Sequence, residues 1–227
     1  MRPIFKSKNE AVYDALRQAI IHGEYEPGSR LVIDDLAATM GVSQIPIREA
    51  LRQLEADGFI TIEPYVGATL TDINANFIFE IFALLESLEV ICSRASCRCM
   101  SDREMEKLAD LINRMDDNID HPEQWSQDNK QLHLFVCECS KNVLTMKMTQ
   151  KVLDHWDRLR LHYLKDVFGH RIADAQQEHK QILTAFQSRN PYAVEQAVRQ
   201  HNQNALQSYI QHLQSSGQIQ TSEDGCP

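Results

Sequence analysis

Ser43-Gln44-Ile45-Pro46-Ile47-Arg48-Glu49-Ala50-Leu51-Arg52-Gln53-Leu54, closed by Asp57-Gly58, decides how the first third of this chain folds. Ile47, Leu51 and Leu54 recur at helical spacing and make an inward stripe, while Gln44, Arg48 and Arg52 stand four residues apart and face outward together. Ser43 is placed to cap this helix, and Pro46 falls in its first turn, where a missing backbone N–H does little harm. A major groove admits one helix, and the side chains near that helix's N-terminus meet base edges. Arg48 could fork onto a guanine, Gln44 pair with an adenine edge and Ile45 lie against a thymine methyl. Surface arginines, however, more commonly solvate a helix and pair with acids such as Glu49 or Glu55. Periodicity alone leaves the two readings evenly balanced.

Upstream, Val12, Leu16, Ala19 and Ile20 predict an amphipathic helix from Asn9 to His22, which Gly23-Glu24-Tyr25-Glu26-Pro27-Gly28 breaks. A short helix follows over Ile33 to Met40 and stops at Gly41, which suits a left-handed cap. Downstream, Phe59-Ile60-Thr61-Ile62 reads as a strand, Pro64-Tyr65-Val66-Gly67 as a turn and Ala68 to Thr71 as the returning strand. Helix, helix-turn-helix and hairpin in this order predict a winged helix-turn-helix. Beyond Thr71 the pattern is helical throughout: Asn74 to Cys99, Ser101 to Asp117, Pro122 to Ser140, Val143 to Phe168, Ile172 to Ser188 and Pro191 to Gln214. Ser101 and Glu104 read as a capping box, and Asn190-Pro191 as a cap followed by an N1 proline. The expected fold is therefore mainly α: a winged helix-turn-helix over residues 1–72, an all-α helical bundle over 73–214 and a polar, disordered tail over 215–227.

The 227 residues suffice for two modest domains, and 43% hydrophobic content supports a core in each. No apolar run reaches the roughly 18 residues that cross a bilayer, and the basic start Met1-Arg2-Pro3-Ile4-Phe5-Lys6 leads into no signal sequence. A cytoplasmic protein is expected, with Cys92, Cys97, Cys99, Cys137, Cys139 and Cys226 reduced. The two C-x-C pairs lack ordinary zinc spacing and read as buried small hydrophobes, with redox sensing the lesser alternative. A net charge of −9 argues against indiscriminate coating of nucleic acid, so any DNA contact must be local.

Pro27-Gly28-Ser29-Arg30-Leu31, Leu36-Ala37, Gly41-Val42-Ser43 and above all Pro46-Ile47-Arg48-Glu49-Ala50-Leu51-Arg52-Gln53-Leu54 resemble the N-terminal domain of GntR-family regulators without a gap over about residues 9–71. The resemblance implies a sequence-specific transcription regulator that binds duplex operator DNA as a homodimer through Arg30, Ser43, Gln44, Ile45 and Arg48, with the wing tip near Gly67 in the minor groove. Two departures matter. Relatives usually show Ser-Arg-Thr-Pro-Val-Arg-Glu where this chain has Ser43-Gln44-Ile45-Pro46, and their wing often carries Arg where Val66 stands. With seven Lys or Arg against eleven Asp or Glu across residues 1–75, the module is itself acidic. A different operator and a shallow salt dependence are expected.

His133 shares an apolar helix face with Val136 and Cys137, His179 with Ile182, Leu183 and Phe186, and His201 with Ala197, Val198 and Ala205; Asn129 stands one turn before His133. Taken singly, each is better read as a hydrogen-bonded core histidine. Converging from three helices of one bundle, they could hold a divalent ion such as zinc or nickel. Leu88-Glu89, Asn129-x-x-Leu132-His133, Glu178-His179 and His201 make residues 74–214 similar to the FCD domain of the FadR-like branch. That resemblance implies metal ligands at Asn129, His133, His179 and His201 and a small carboxylate effector. The acid of relatives is Asn129 here, a weaker, neutral donor, so a filled site would be more weakly held and more cationic. The arginine often found in the first helix of the domain is replaced by Leu85, which leaves Arg158 or Arg160 to anchor a carboxylate; His155, His162 and His170 read as surface or interface residues.

On this reading a ligand acts by preferring one packing of the bundle and thereby changing the spacing of two recognition helices. The competing readings are a regulator for which the metal is itself the signal and a metal-dependent hydrolase. No H-E-x-x-H or G-x-S-x-G supports the hydrolase, and the chain is expected not to be an enzyme.

Overall fold

A computed structural model describes residues 7–162 and 164–215. The described residues divide into two compact units, one comprising residues 7–73 together with Asp157–His162, the other Asn74–Trp156 and residues 164–215.

In the first unit, α1 (Lys8–Ile21) begins at a capping box in which Ser7 Oγ accepts from the Glu10 N–H and the Glu10 carboxylate accepts from the Ser7 N–H. Its face of Val12, Leu16 and Ile20 buries against Ile47, Leu51 and Leu54 of α3 (Gln44–Ala56). Each fully buried Leu or Ile contributes roughly 1.5–3 kcal/mol, so this seam is the main cohesive element of a small domain. Between them α2 (Ile33–Met40) ends at Gly41, whose φ of 65° closes the helix in the left-handed region. Strands β2 (Ile60–Glu63) and β3 (Gly67–Leu70) form the expected hairpin, with Ile62 opposite Ala68. A short strand, β1 (Arg30–Leu31), pairs antiparallel with β3 and makes the sheet three-stranded in the order β1-β3-β2. Two residues are too few for any alternation to show in the sequence.

The second unit holds the helical run. α4 (Ala75–Cys99) starts where Asn74 Oδ1 accepts from the Phe77 N–H, and α5 (Asp102–Asp117) starts at the Ser101–Glu104 box. α6 (Pro122–Cys139) carries Pro122 in its first turn, and Asn190 Oδ1 accepts from the N–H groups of Tyr192 and Ala193 at the head of α9 (Pro191–Ser215). α4 packs on α6 and α9, and α8 (Lys165–Gln187) on α5 and α9.

One boundary differs. α7 (Val143–His162) ends six residues before Phe168, and α8 begins seven before Ile172. The expected break falls between Phe168 and Ile172, yet Gly169 lies inside α8 at an exposed position where an added Cβ would meet nothing. The stretch His162-Tyr163-Leu164-Lys165 contains neither Gly nor Pro, so the real interruption carries no sequence signal. Apart from Ser215, which closes α9, the tail expected to be disordered lies outside the described residues, as does Cys226.

Candidate functional site

The outward face of α3 is polar at its start and held by neighbours of its own unit. Gln44 Nε2 donates to Asp34 Oδ1 of α2, and Arg48 Nη2 donates to Gln44 Oε1 at 3.2 Å. Ile45 is 70% exposed, a large apolar side chain with no role in the core. Arg52 lies 3.7 Å from Glu49, both exposed, as a solvated ion pair would. The backbone at Ser43 has the extended conformation of an N-cap, but its hydroxyl makes no capping bond. Arg30 opens β1 opposite Thr69, and its guanidinium lies along Gly67, where an added Cβ would stand 3.4 Å from Nε and Nη2. Gly67 has a φ of 101°, so the bare backbone serves both the turn and this approach. At the wing tip Tyr65 is fully exposed with φ of 66°, and Val66 is exposed beside it. The sequence marked Tyr65 only as a turn residue.

The helical unit encloses the second group. One potential donor atom from each of His133 (α6), His179 (α8) and His201 (α9) lies within 4.8 Å of the others. The rings of His179 and His201 are 4.7 Å apart, and His133 lies 5.7 Å from His179 and 5.8 Å from His201. Asn129, one turn before His133, lines the same cavity as His133 and His201, and its Oδ1 is buried without a hydrogen-bond partner among the described residues. Both ring nitrogens of His179 are likewise buried and unpartnered, although Trp125 stacks on the ring at 5.6 Å.

Two carboxylates orient the other imidazoles. Glu89 Oε1 is 2.9 Å from His133 Nδ1, and its Oε2 accepts from Asn202 Nδ2 at 2.8 Å. Glu178 Oε2 is 2.8 Å from His201 Nδ1 and accepts from Arg171 Nη2, while Asn204 Nδ2 donates to Oε1. A carboxylate on Nδ1 fixes the ring and leaves Nε2 as the available donor atom, the usual outer layer around a metal-binding histidine. The sequence pattern included Glu89 and Glu178 without giving either a role. The clue was an acid at an apolar-face position of α4, one turn from Leu85.

Charge is divided sharply over these few groups. Burial, then the neighbouring His201, His133 and Arg171, hold His179 well below the ordinary imidazole range, so it is neutral. Burial acts the same way on His133, but the attraction and hydrogen bond of Glu89 outweigh it and raise His133. Burial tends to raise Glu89 and Glu178, and it is overcome by His133, His201 and Asn202 for the first and by His201, Asn204 and Arg171 for the second.

Arg158 and Arg160 are not at this centre. Arg158 is fully buried and donates from Nη2 to the Thr71 carbonyl at 2.6 Å, while Arg160 faces Asp157 at 3.9 Å; both belong to the segment that groups with the first unit. The arginine that lines the cavity is Arg171. His155 is buried, edge-on to Phe77, rather than at the surface. Cys92, Cys97, Cys137 and Cys139 are buried and Cys99 is exposed; burial pushes the Cys139 thiol up to about 12 and raises Cys97.

Residues 8–70 match the family described as bacterial regulatory proteins, gntR family, and residues 80–204 match the FCD domain. The chain is a GntR-family transcription regulator with an FCD domain. Among its relatives, the uncharacterized HTH-type regulator YdhC of Bacillus subtilis is 26% identical, covering 90% of this chain and 92% of the relative. The HTH-type transcriptional repressor RspR of Escherichia coli is 23% identical, over 92% and 91%. The solved structure of E. coli McbR/YncC shares the fold, with a TM-score of 0.74 at 20% identity over 92% of this chain and 99% of that one. These relatives are transcription regulators, and none of the described helices of this GntR-family chain is long and apolar enough to cross a membrane.

Proposed function

We propose that this GntR-family regulator is a cytoplasmic homodimer that holds operator DNA through Arg30, Ser43, Gln44, Ile45, Arg48 and the wing at Gly67, and that a ligand within the helical unit sets how firmly it does so. Residues 1–72 would form the DNA-binding domain and 73–214 the effector domain. The observation that carries the ligand half is the set of orphaned buried groups at the histidine centre. Burying a polar group without a partner costs on the order of 1–3 kcal/mol, and Asn129 Oδ1 and both nitrogens of His179 stand in that condition among three converging imidazoles.

That donor set fits a divalent ion such as zinc or nickel, with Asn129, His133, His179 and His201 as the groups that would hold it. A bound ion would supply a fixed positive charge to which a small carboxylate effector is attracted. The chain's own residues do the rest: Glu89 and Glu178 fix two rings, and the neutral amide of Asn129 leaves the centre one negative charge poorer than a carboxylate would. A ligand changes DNA affinity only if it binds one packing of the bundle more tightly than another.

The test is operator binding by the full chain on the DNA flanking its own gene, measured with bound metal and after chelation, alongside elemental analysis of the purified protein. Stoichiometric zinc or nickel and a metal- or effector-dependent shift in affinity are expected. Metal-free protein that neither takes up zinc nor changes its DNA affinity would overturn the ligand half while leaving the DNA-binding half standing.

A further inference from the structure

The cavity beside the histidine centre has two unlike ends. Glu89, Asn129, His133, His201, Asn202 and Arg171 supply its polar end. Phe82 on α4 stands seven residues from Glu89, and Tyr209 on α9 stands eight from His201, about 11 Å along each helix. There they meet Trp156: the three rings lie 5.2 to 5.7 Å apart and form an aromatic wall. Leu85, Leu153 and Ile172 line the cavity as well and add no charge.

Arg171 is the decisive residue. Its side chain is 5% exposed. One donor, Nη2, is taken by Glu178, but Nε and Nη1 are buried with no hydrogen-bond partner among the described residues. A guanidinium keeps its charge at any physiological pH, so these donors cannot be relieved by losing a proton. They call for an acceptor that arrives from outside the chain, and a carboxylate oxygen is the one that makes the strongest bond to a guanidinium. The aromatic and aliphatic walls, by contrast, carry no cation for a second anionic group to pair with. The cavity measures about 50 Å³. At roughly 10–15 Å³ for each separate water-sized group it holds about three to five of them, and because covalently joined atoms pack closer than separate molecules, this corresponds to about five or six heavy atoms in one ligand.

From this we infer that the ligand of this cavity is a short-chain saturated monocarboxylate, about three or four carbons long, whose carboxylate meets Arg171 and whose alkyl body lies against Leu85, Ile172 and the aromatic wall. The inference rests on the reading of this unit as a carboxylate-responsive domain and narrows it: dicarboxylates, polyhydroxy acids and aryl acids are excluded by charge, by polarity and by size respectively.

The experiment is calorimetric titration of the zinc-loaded and the metal-free full chain with isobutyrate, compared with isobutyramide, succinate, gluconate and benzoate. Isobutyrate is expected to bind at least about tenfold more tightly than its amide, whose acceptor is uncharged, and more tightly than the other acids. Arg171→Met should lose about tenfold or more for isobutyrate in the metal-free chain as well as in the zinc-loaded one, which separates loss of the anchor from any effect passed to the metal through Glu178. Should that variant fold poorly, Leu85→Arg provides a second route, because a cation placed in the apolar half should shift preference toward succinate. Preference of the unmodified chain for succinate, gluconate or benzoate would overturn the ligand class and leave the carboxylate-responsive reading intact. Equal isobutyrate affinity in a folded Arg171→Met would overturn the anchor. Binding of none of these acids, with or without zinc, would overturn the carboxylate reading and this inference together.

Discussion

The outward face of α3 and the histidine centre hold polar side chains in opposite ways. On α3 the polar groups pair loosely with one another at the surface, where water can replace any partner: Arg48 with Gln44, Arg52 with Glu49. Each such contact is worth little, so the face can exchange these partners for others. In the helical unit His133 and His201 are fixed by buried carboxylates, and the groups left over, His179, Asn129 Oδ1 and two donors of Arg171, are buried away from bulk solvent with no partner among the described residues. An unpaired polar group on a surface says nothing, whereas one in a core asks for a ligand.

Stability separates the two regions most strongly. Leu54→Ala, in the seam between α1 and α3, should cost about 2–5 kcal/mol in denaturant unfolding. Ile45→Ala, 70% exposed on the opposite face, should change stability by less than about 0.5 kcal/mol. If Ile45→Ala unfolds the domain, the outward face is structural after all. Next in size is metal affinity. Glu89→Gln and Glu178→Gln should each weaken zinc binding by about 10- to 100-fold, as losses of outer-layer partners do, and an unchanged affinity would mean that the clamps do not matter. Asn129→Asp should tighten it by about tenfold, since a charged donor replaces a neutral one.

A smaller effect separates the two regions by pH. Because His179 lies below its ordinary value of 6.5 when folded, the unfolded chain takes up its proton first. Metal-free stability should therefore be lost as pH falls below about 6.5. His133, raised by Glu89, works in the other direction: its contribution is present below 6.5 and is lost as pH rises through the folded value. His179→Gln should flatten the acid side of the stability profile, and an unaltered profile would contradict a buried neutral His179. The α3 face, whose groups are exposed, should leave that profile alone.

What could be read in the sequence follows the same division. The stripe of Ile47, Leu51 and Leu54 and the outward Gln44, Arg48 and Arg52 were legible because one helix carries both signals. His133, His179 and His201 were legible because each is polar on an apolar face. Arg171 was not, since the residues around Gly169 read as a break, and a residue assigned to a connection has no face. Arg158 and Arg160, the anchors expected from the sequence, follow the cavity-lining Leu153 and Trp156 along α7. The clamping of His201 by Glu178 was also hidden, because adjacent residues on a helix point about 100° apart and their partners come from other helices.

The claim on which the rest depends is that the start of α3 reads DNA. It is tested most directly by fluorescence anisotropy on the DNA flanking the gene, comparing the parent chain with Arg48→Met, which keeps the aliphatic stem and loses the guanidinium. A loss of about 1–3 kcal/mol, roughly 5- to 150-fold in affinity and concentrated on the specific site, is expected. Equal affinity of the two proteins for that site would contradict it.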